Sequence, residues 1–188
     1  MDVDWNAEVV DQLESHWRQR LRPRLDGLTD AEYFWQPVPD CWTLSRRGES
    51  SASNSFGAGE FTWDYDEPPH NPEPVTTIAW RLAHLIVVFA STSGVHFGCP
   101  PASESTFCYA GTAEEALRQL DEQYQIWISG VRSLGTDGLA EPQGYPPAFA
   151  HAPIVKKMLY VNVEVIHHGA EICLLRDLYL RNGSDAAT

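Results

Sequence analysis

Positive charge is scarce in this chain. Lysine and arginine together number 13 against 26 aspartates and glutamates, a formal net charge of −13 over 188 residues, and Lys156 and Lys157 are the only lysines. A surface of that sign repels phosphate backbones and anionic lipid, so no nucleic-acid and no membrane partner is expected, and a small molecule is. Cysteine is also sparse. Cys41, Cys99, Cys108 and Cys173 form no CxxC pair and no regular framework, which argues against a disulfide scaffold. No Gly-x-Ser-x-Gly element is present, and Gly48, Gly57 and Gly59 lack phosphate-loop spacing, so serine hydrolase and nucleotide hydrolase chemistry have no support. One stretch, Leu82 to Ser103, lacks Asp, Glu, Lys and Arg and is long enough to cross a bilayer. His84, His96, the run Ser91-Thr92-Ser93 and Pro100-Pro101 point instead to a buried helix that ends in a loop. The acidic start, Met1-Asp-Val-Asp-Trp5, lacks the regions of a signal peptide, so a cytoplasmic location with reduced thiols is expected.

What the chain does have is helical periodicity. Val9, Val10, Leu13, Trp17, Leu21, Leu25 and Leu28 make an apolar stripe that predicts a first helix from about Asp4 to Asp26, with Pro23 shortening or kinking it. Thr29-Asp-Ala-Glu32 has capping-box form and opens a short turn of helix that Trp35-Gln-Pro37 stops. Residues 40 to 75 read as a long irregular loop, Ser/Gly-rich and then proline-rich, whose middle, Phe61-Thr-Trp63-Asp-Tyr65, packs on the body. A second helix is expected from Thr76 or Thr77 to Phe97. A third follows from the capping box Thr112-Ala-Glu-Glu115 to Leu134, ended by Gly135 and Gly138. The last runs from Ile154 to Arg181, closed by Asn182-Gly183, with Ser184 to Thr188 as a disordered tail. The expected fold is all-α: an antiparallel four-helix bundle with a long irregular loop between its first and second long helices.

The chemistry concentrates in the last helix, at Glu164-Val-Ile-His167-His168-Gly-Ala-Glu171. Glu164 and His168 lie four apart on one face, with Glu171 continuing it. Such a pair can grip one metal ion if a neighbouring helix adds a third ligand, for which His84 in Trp80-Arg-Leu-Ala-His84-Leu is the best candidate. Two histidines and a carboxylate with open positions suit zinc, nickel or ferrous iron. The same residues would serve equally as a hydrogen-bonded core histidine and a surface ion pair. Arg81 and Arg176 meet either an anionic ligand or surface acids. Trp63, Tyr65 and Trp80 either wall a cleft or fill the end of the core.

The run Glu164 to Tyr179 resembles the last-helix pattern of the DinB-like (YfiT-like) superfamily of metal-binding four-helix bundles. Leu28-Thr-Asp-Ala-Glu32 with Trp35-Gln-Pro37, and Thr77-Ile-Ala-Trp80-Arg-Leu-Ala-His84-Leu, are similar to its first-helix exit and second-helix ligand segment. The resemblance spans residues from about 6 to 181 and implies one DinB-like domain over residues 1–183. The family's usual last-helix motif is His-x-x-x-His, and here its first position is Glu164. A His, Glu, His set is found in the mycothiol-dependent maleylpyruvate isomerases of the same superfamily. The resemblance therefore implies metal ligands at His84, Glu164 and His168, with zinc or nickel as the metal. It leaves His167 as a packing residue or indirect support, and Glu171 as either a group orienting a histidine or an exposed acid. It also implies a thiol transferase, in which a low-molecular-weight thiol such as mycothiol is activated at the metal to attack a small electrophile. Two alternatives are a metal-dependent hydrolase of a small molecule and a non-catalytic bundle that binds a small ligand or forms a homodimer through a helix face.

Overall fold

The computed structural model describes residues 2–68 and 70–185, with side chains up to residue 182. The chain is mostly helical, and the helices start where their caps require. Asp4 accepts the amides of Asn6 and Ala7 to open α1 (Trp5–His16). Thr29 accepts the amide of Glu32 to open the short α2 (Asp30–Tyr33). Thr77 caps α3 (Ile78–His96) through the amide of Trp80, and Thr112 caps α4 (Ala113–Ala140) through that of Glu115. The last helix, α5, spans Val155–Asp185.

Three boundaries differ from expectation for identifiable reasons. Past His16 the first helix continues to Leu25, but as a π-helical turn (Trp17–Leu21) and then a 3-10 turn (Arg22–Leu25). Pro23 lacks an amide donor and its ring collides with the carbonyl four residues back. The preceding turn widens to relieve this, and the Arg22 amide bonds to the Trp17 carbonyl, five residues back. In α4 the helical backbone breaks at Gly135 (φ 63°, ψ 179°), as expected, but a further turn of helix follows it. The α5 helix is not closed by Asn182-Gly183 and runs on through Ser184 and Asp185; the remaining tail residues, 186–188, lie outside the described residues.

The larger correction concerns residues 40 to 75, which form a small antiparallel sheet rather than an irregular loop. Strand β1 (Leu44–Arg46) and β2 (Asn54–Phe56) flank β3 (Phe61–Tyr65), in the order β1-β3-β2. Leu44 faces Trp63 in one pairing and Phe56 faces Trp63 in the other. Buried Asp64 ties the sheet to its own turns by accepting the Thr43 amide at 3.0 Å and the Ser50 hydroxyl at 2.7 Å. The base of the sheet is pinned to the start of α3, where the Trp42 amide bonds Val75 and the Thr77 amide bonds Trp42.

Helix α3 packs against both α4 and α5, and α1 also packs against both. Between α1, α3 and α4 lies an aromatic core: Trp17 stacks on Tyr124 at 3.8 Å, with Phe89 edge-on to both and Trp127 beside Phe89. Helix α1 and its π turn approach α5 closely at Gly169, where a Cβ would sit 3.0 Å from Leu21. By length and composition α3 could cross a membrane, with mean hydropathy 1.5, but 67% of that window is buried inside this fold.

The Glu32 carboxylate is only 3% exposed. Instead of closing the Thr29 capping box it receives Arg176 of α5, Nε to Oε1 at 2.6 Å and Nη2 to Oε2 at 3.1 Å. The same guanidinium donates to the carbonyls of Arg24 and Asp26, so one arginine fixes the α1 exit and α2 onto α5. Arg176 is therefore a structural cation, not a ligand-facing one. Replacing Glu32 by Ala leaves this buried charge without its partner, at a cost of about 3–5 kcal/mol. Urea unfolding should show Glu32→Ala destabilised to that extent and the double variant Glu32→Leu/Arg176→Met much less so.

Candidate metal centre

His84 lies on the second turn of α3, and Glu164 and His168 lie one turn apart on α5. Helix packing brings the three together. His84 Nε2 is 2.9 Å from Glu164 Oε2, and His168 Nε2 is 3.2 Å from the same oxygen. The imidazoles meet edge to face at 4.8 Å, and one donor atom from each residue lies within 4.8 Å of the others. Their side chains are 21%, 17% and 12% exposed, in the order His84, Glu164, His168, so the cluster is enclosed but reachable.

The surroundings hold both rings in place. Trp80, one turn before His84, and Trp63 of β3 lie nearly parallel to the His84 ring, at 5.8 and 6.2 Å. The Trp63 indole donates to the Trp80 carbonyl, and the Trp80 indole donates to the Asp64 carbonyl, so sheet and helix fix one another there. Trp63 and Trp80 are buried in this stack and fill the core beside His84 rather than forming an open wall. On the other side Glu171 Oε2 is 2.6 Å from His168 Nδ1. A contact that short to a carboxylate places the proton on Nδ1, which then donates to Glu171 and leaves the Nε2 lone pair directed at Glu164. Arg81 completes this side: its Nε lies 3.0 Å from Glu171 Oε2 without a well-aimed hydrogen bond, and Nη1 is 3.3 Å from His168 Nδ1.

Burial lowers the His84 pKa below 6.5, outweighing the bond to Glu164 that raises it. For Glu164, burial raises the pKa, but the hydrogen bond from His84 and the charges of both histidines outweigh it, and the net shift is downward. The donor set fits a divalent cation. With His168 Nδ1 protonated, its Nε2 lone pair faces a carboxylate oxygen at 3.2 Å, a contact that a proton or a cation between them satisfies.

All three residues singled out from the sequence thus lie together. His167 lies outside the trio, its side chain 65% exposed, but its ring is 4.8 Å edge to face from that of His168 and its Nε2 3.5 Å from Glu171 Oε1, so His167, His168 and Glu171 form a second, more exposed group of close donors. Glu171 supports His168 directly. Cys173 and Cys41 lie outside the cluster, and burial raises both thiol pKa values, the reverse of what an internal nucleophile needs. The sequence reading missed Tyr160, one turn before Glu164 on α5, which helps to lower the Glu164 pKa. Its i, i+4 spacing from Glu164 was the available signal. Arg81 was noted there but not its contact with Glu171.

Residues 12–172 match the DinB superfamily, and the chain belongs to it. No curated protein and no solved structure matches the chain.

Burial holds His16, His84 and His96 below their ordinary value, so the folded chain keeps them neutral where the unfolded chain takes up protons. Their effect vanishes above pH 6.5 and destabilises the fold as pH drops below it. Glu164, with its lowered pKa, loses its stabilisation in the same direction at lower pH. Thermal unfolding of metal-free protein should give a Tm that is level from pH 7.5 to about 6.5 and falls from there to pH 5, and a flat profile over the whole range would contradict these assignments.

Proposed function

We propose that this chain is a divalent-metal-dependent enzyme of the DinB superfamily that transfers a low-molecular-weight thiol to a small electrophile. The observation that carries the reading is the convergence of His84 Nε2, His168 Nε2 and Glu164 Oε2 on one point between α3 and α5. Family membership adds its weight. In this reading residues 1–183 are one domain, and the mutual packing of α1, α3, α4 and α5 supports an antiparallel four-helix bundle with the sheet as an insert. Zinc or nickel is the metal, the protein is cytoplasmic, and its partners are small molecules rather than nucleic acid or membrane.

His84, Glu164 and His168 would hold the ion, and its chemistry when bound is to keep a thiol in the thiolate form at neutral pH. The chain's own residues prepare for this. Glu171 accepts a hydrogen bond from the Nδ1–H of His168, which fixes the tautomer that leaves Nε2 free. Trp63 and Trp80 hold the His84 ring plane, and Arg81 balances the charge of Glu171. Since burial raises the Cys41 and Cys173 thiol pKa values, the nucleophile comes from a cofactor rather than from either side chain.

Protein purified without chelator should carry about one zinc or nickel per chain by mass spectrometry, and His84→Ala/His168→Ala should lose it. Full occupancy in that variant would remove the site assignment. For the thiol, the metal-loaded protein should gain several degrees in Tm with one of mycothiol, bacillithiol or glutathione at saturating concentration. Stabilisation by none of them would favour hydrolysis of a small molecule instead.

A further inference from the structure

The two lysines of this acidic chain sit side by side at the start of α5, and among the described residues neither forms an ion pair with a carboxylate. Both line a cavity of about 450 Å³ together with Gln143, Phe149 and Tyr160. Lys157 also lines a second cavity of about 460 Å³, whose other walls include Ser91, His96, Ser103 and Glu104. The Lys157 ammonium lies 4.8 Å over the Tyr160 ring. Volumes of this size suit a small organic molecule.

The position relative to the candidate metal centre is set by helix geometry. Lys156, Tyr160, Glu164 and His168 follow one another at intervals of four, each a neighbour of the next and turned about 40° further around α5. Lys156 precedes Glu164 by two turns, about 12 Å along the axis. Tyr160 occupies the step between them. On α3 the same direction leads from His84 to Ser91 and His96, which face the second cavity. The lysine-lined cavities thus lie toward the start of α5, on the same pair of helices, α3 and α5, that carries the metal-competent donors.

We propose that Lys156 and Lys157 form a carboxylate-binding subsite for an anionic thiol or substrate, on the segment of α5 that precedes Glu164 and His168. This rests on the functional reading above for what such a ligand does at His84, Glu164 and His168. In a chain of net charge −13, two unpaired cations bordered by exposed Tyr160 and Phe149 select a ligand that joins a carboxylate to an apolar or extended body. The subsite therefore favours thiols that carry carboxylates over neutral sugar-based ones.

Glutathione, with two carboxylates, and its uncharged-ended diethyl ester make a matched pair of probes. Dissociation constants for both are measured by ligand-observed NMR against zinc-loaded and zinc-free wild type and against Lys156→Glu/Lys157→Glu. Glutathione should bind wild type at least fivefold more tightly than the ester, and the preference should vanish in the double variant while its Tm and zinc content stay unchanged. Equal affinity of the two probes, a preference retained in the variant, or no binding of glutathione would each overturn the subsite. Failure of zinc to bind would overturn the metal reading alone, since the lysine-dependent preference would persist in zinc-free protein.

Discussion

Helix α3 carries one arginine and two histidines over Ile78–His96 and is otherwise made of apolar or small neutral residues, so its stability depends on being enclosed. The other elements follow from that constraint. Helices α4 and α5 cover two of its sides, α1 packs against both of them, and the sheet covers the end where Trp80 would otherwise meet water. Enclosure brings its own difficulty, because Arg81 and His84 are largely enclosed with the rest, at 19% and 21% side-chain exposure, and need polar partners. Helix α5 supplies them as Glu171 and Glu164. The candidate metal centre is therefore the polar seam of an otherwise apolar interface between α3 and α5.

The long helices α1, α3 and α4 were legible because each has both a periodic apolar face and a capping residue. Thr29, Thr77 and Thr112 all cap as their sequence context suggests. The ligand trio was legible because Glu164 and His168 are one helical turn apart and His84 stands out in an apolar run. The sheet was not, since β1 and β2 are three residues each and read as Ser/Gly-rich loop. Only β3, with its aromatic alternation, carried any strand signal. What makes these strands stable is tertiary: the buried Asp64 network and the contact of Trp63 with Trp80. The destination of Glu32 was hidden for the same reason. Its spacing from Thr29 suggested a local cap, and its true partner, Arg176, is 144 residues away.

The π turn at Trp17–Leu21 shows how a local defect can become useful. Widening the helix before Pro23 leads into the turns that carry Arg24 and Asp26, whose carbonyls Arg176 then holds. It also seats Leu21 against Gly169, on the residue next to His168. The first helix thereby braces the back of the segment whose front carries Glu164 and His168.

The separation of His84 from Glu164 along the chain, 80 residues, has a thermodynamic consequence of its own. In the unfolded chain these donors rarely meet, so any ion that prefers the trio binds the folded state almost exclusively. Occupancy would then act as a cross-link between α3 and α5, tightening the fold by mass action in proportion to the logarithm of free ion concentration. The lifetime of the folded protein would thereby be coupled to how much of that ion its surroundings contain.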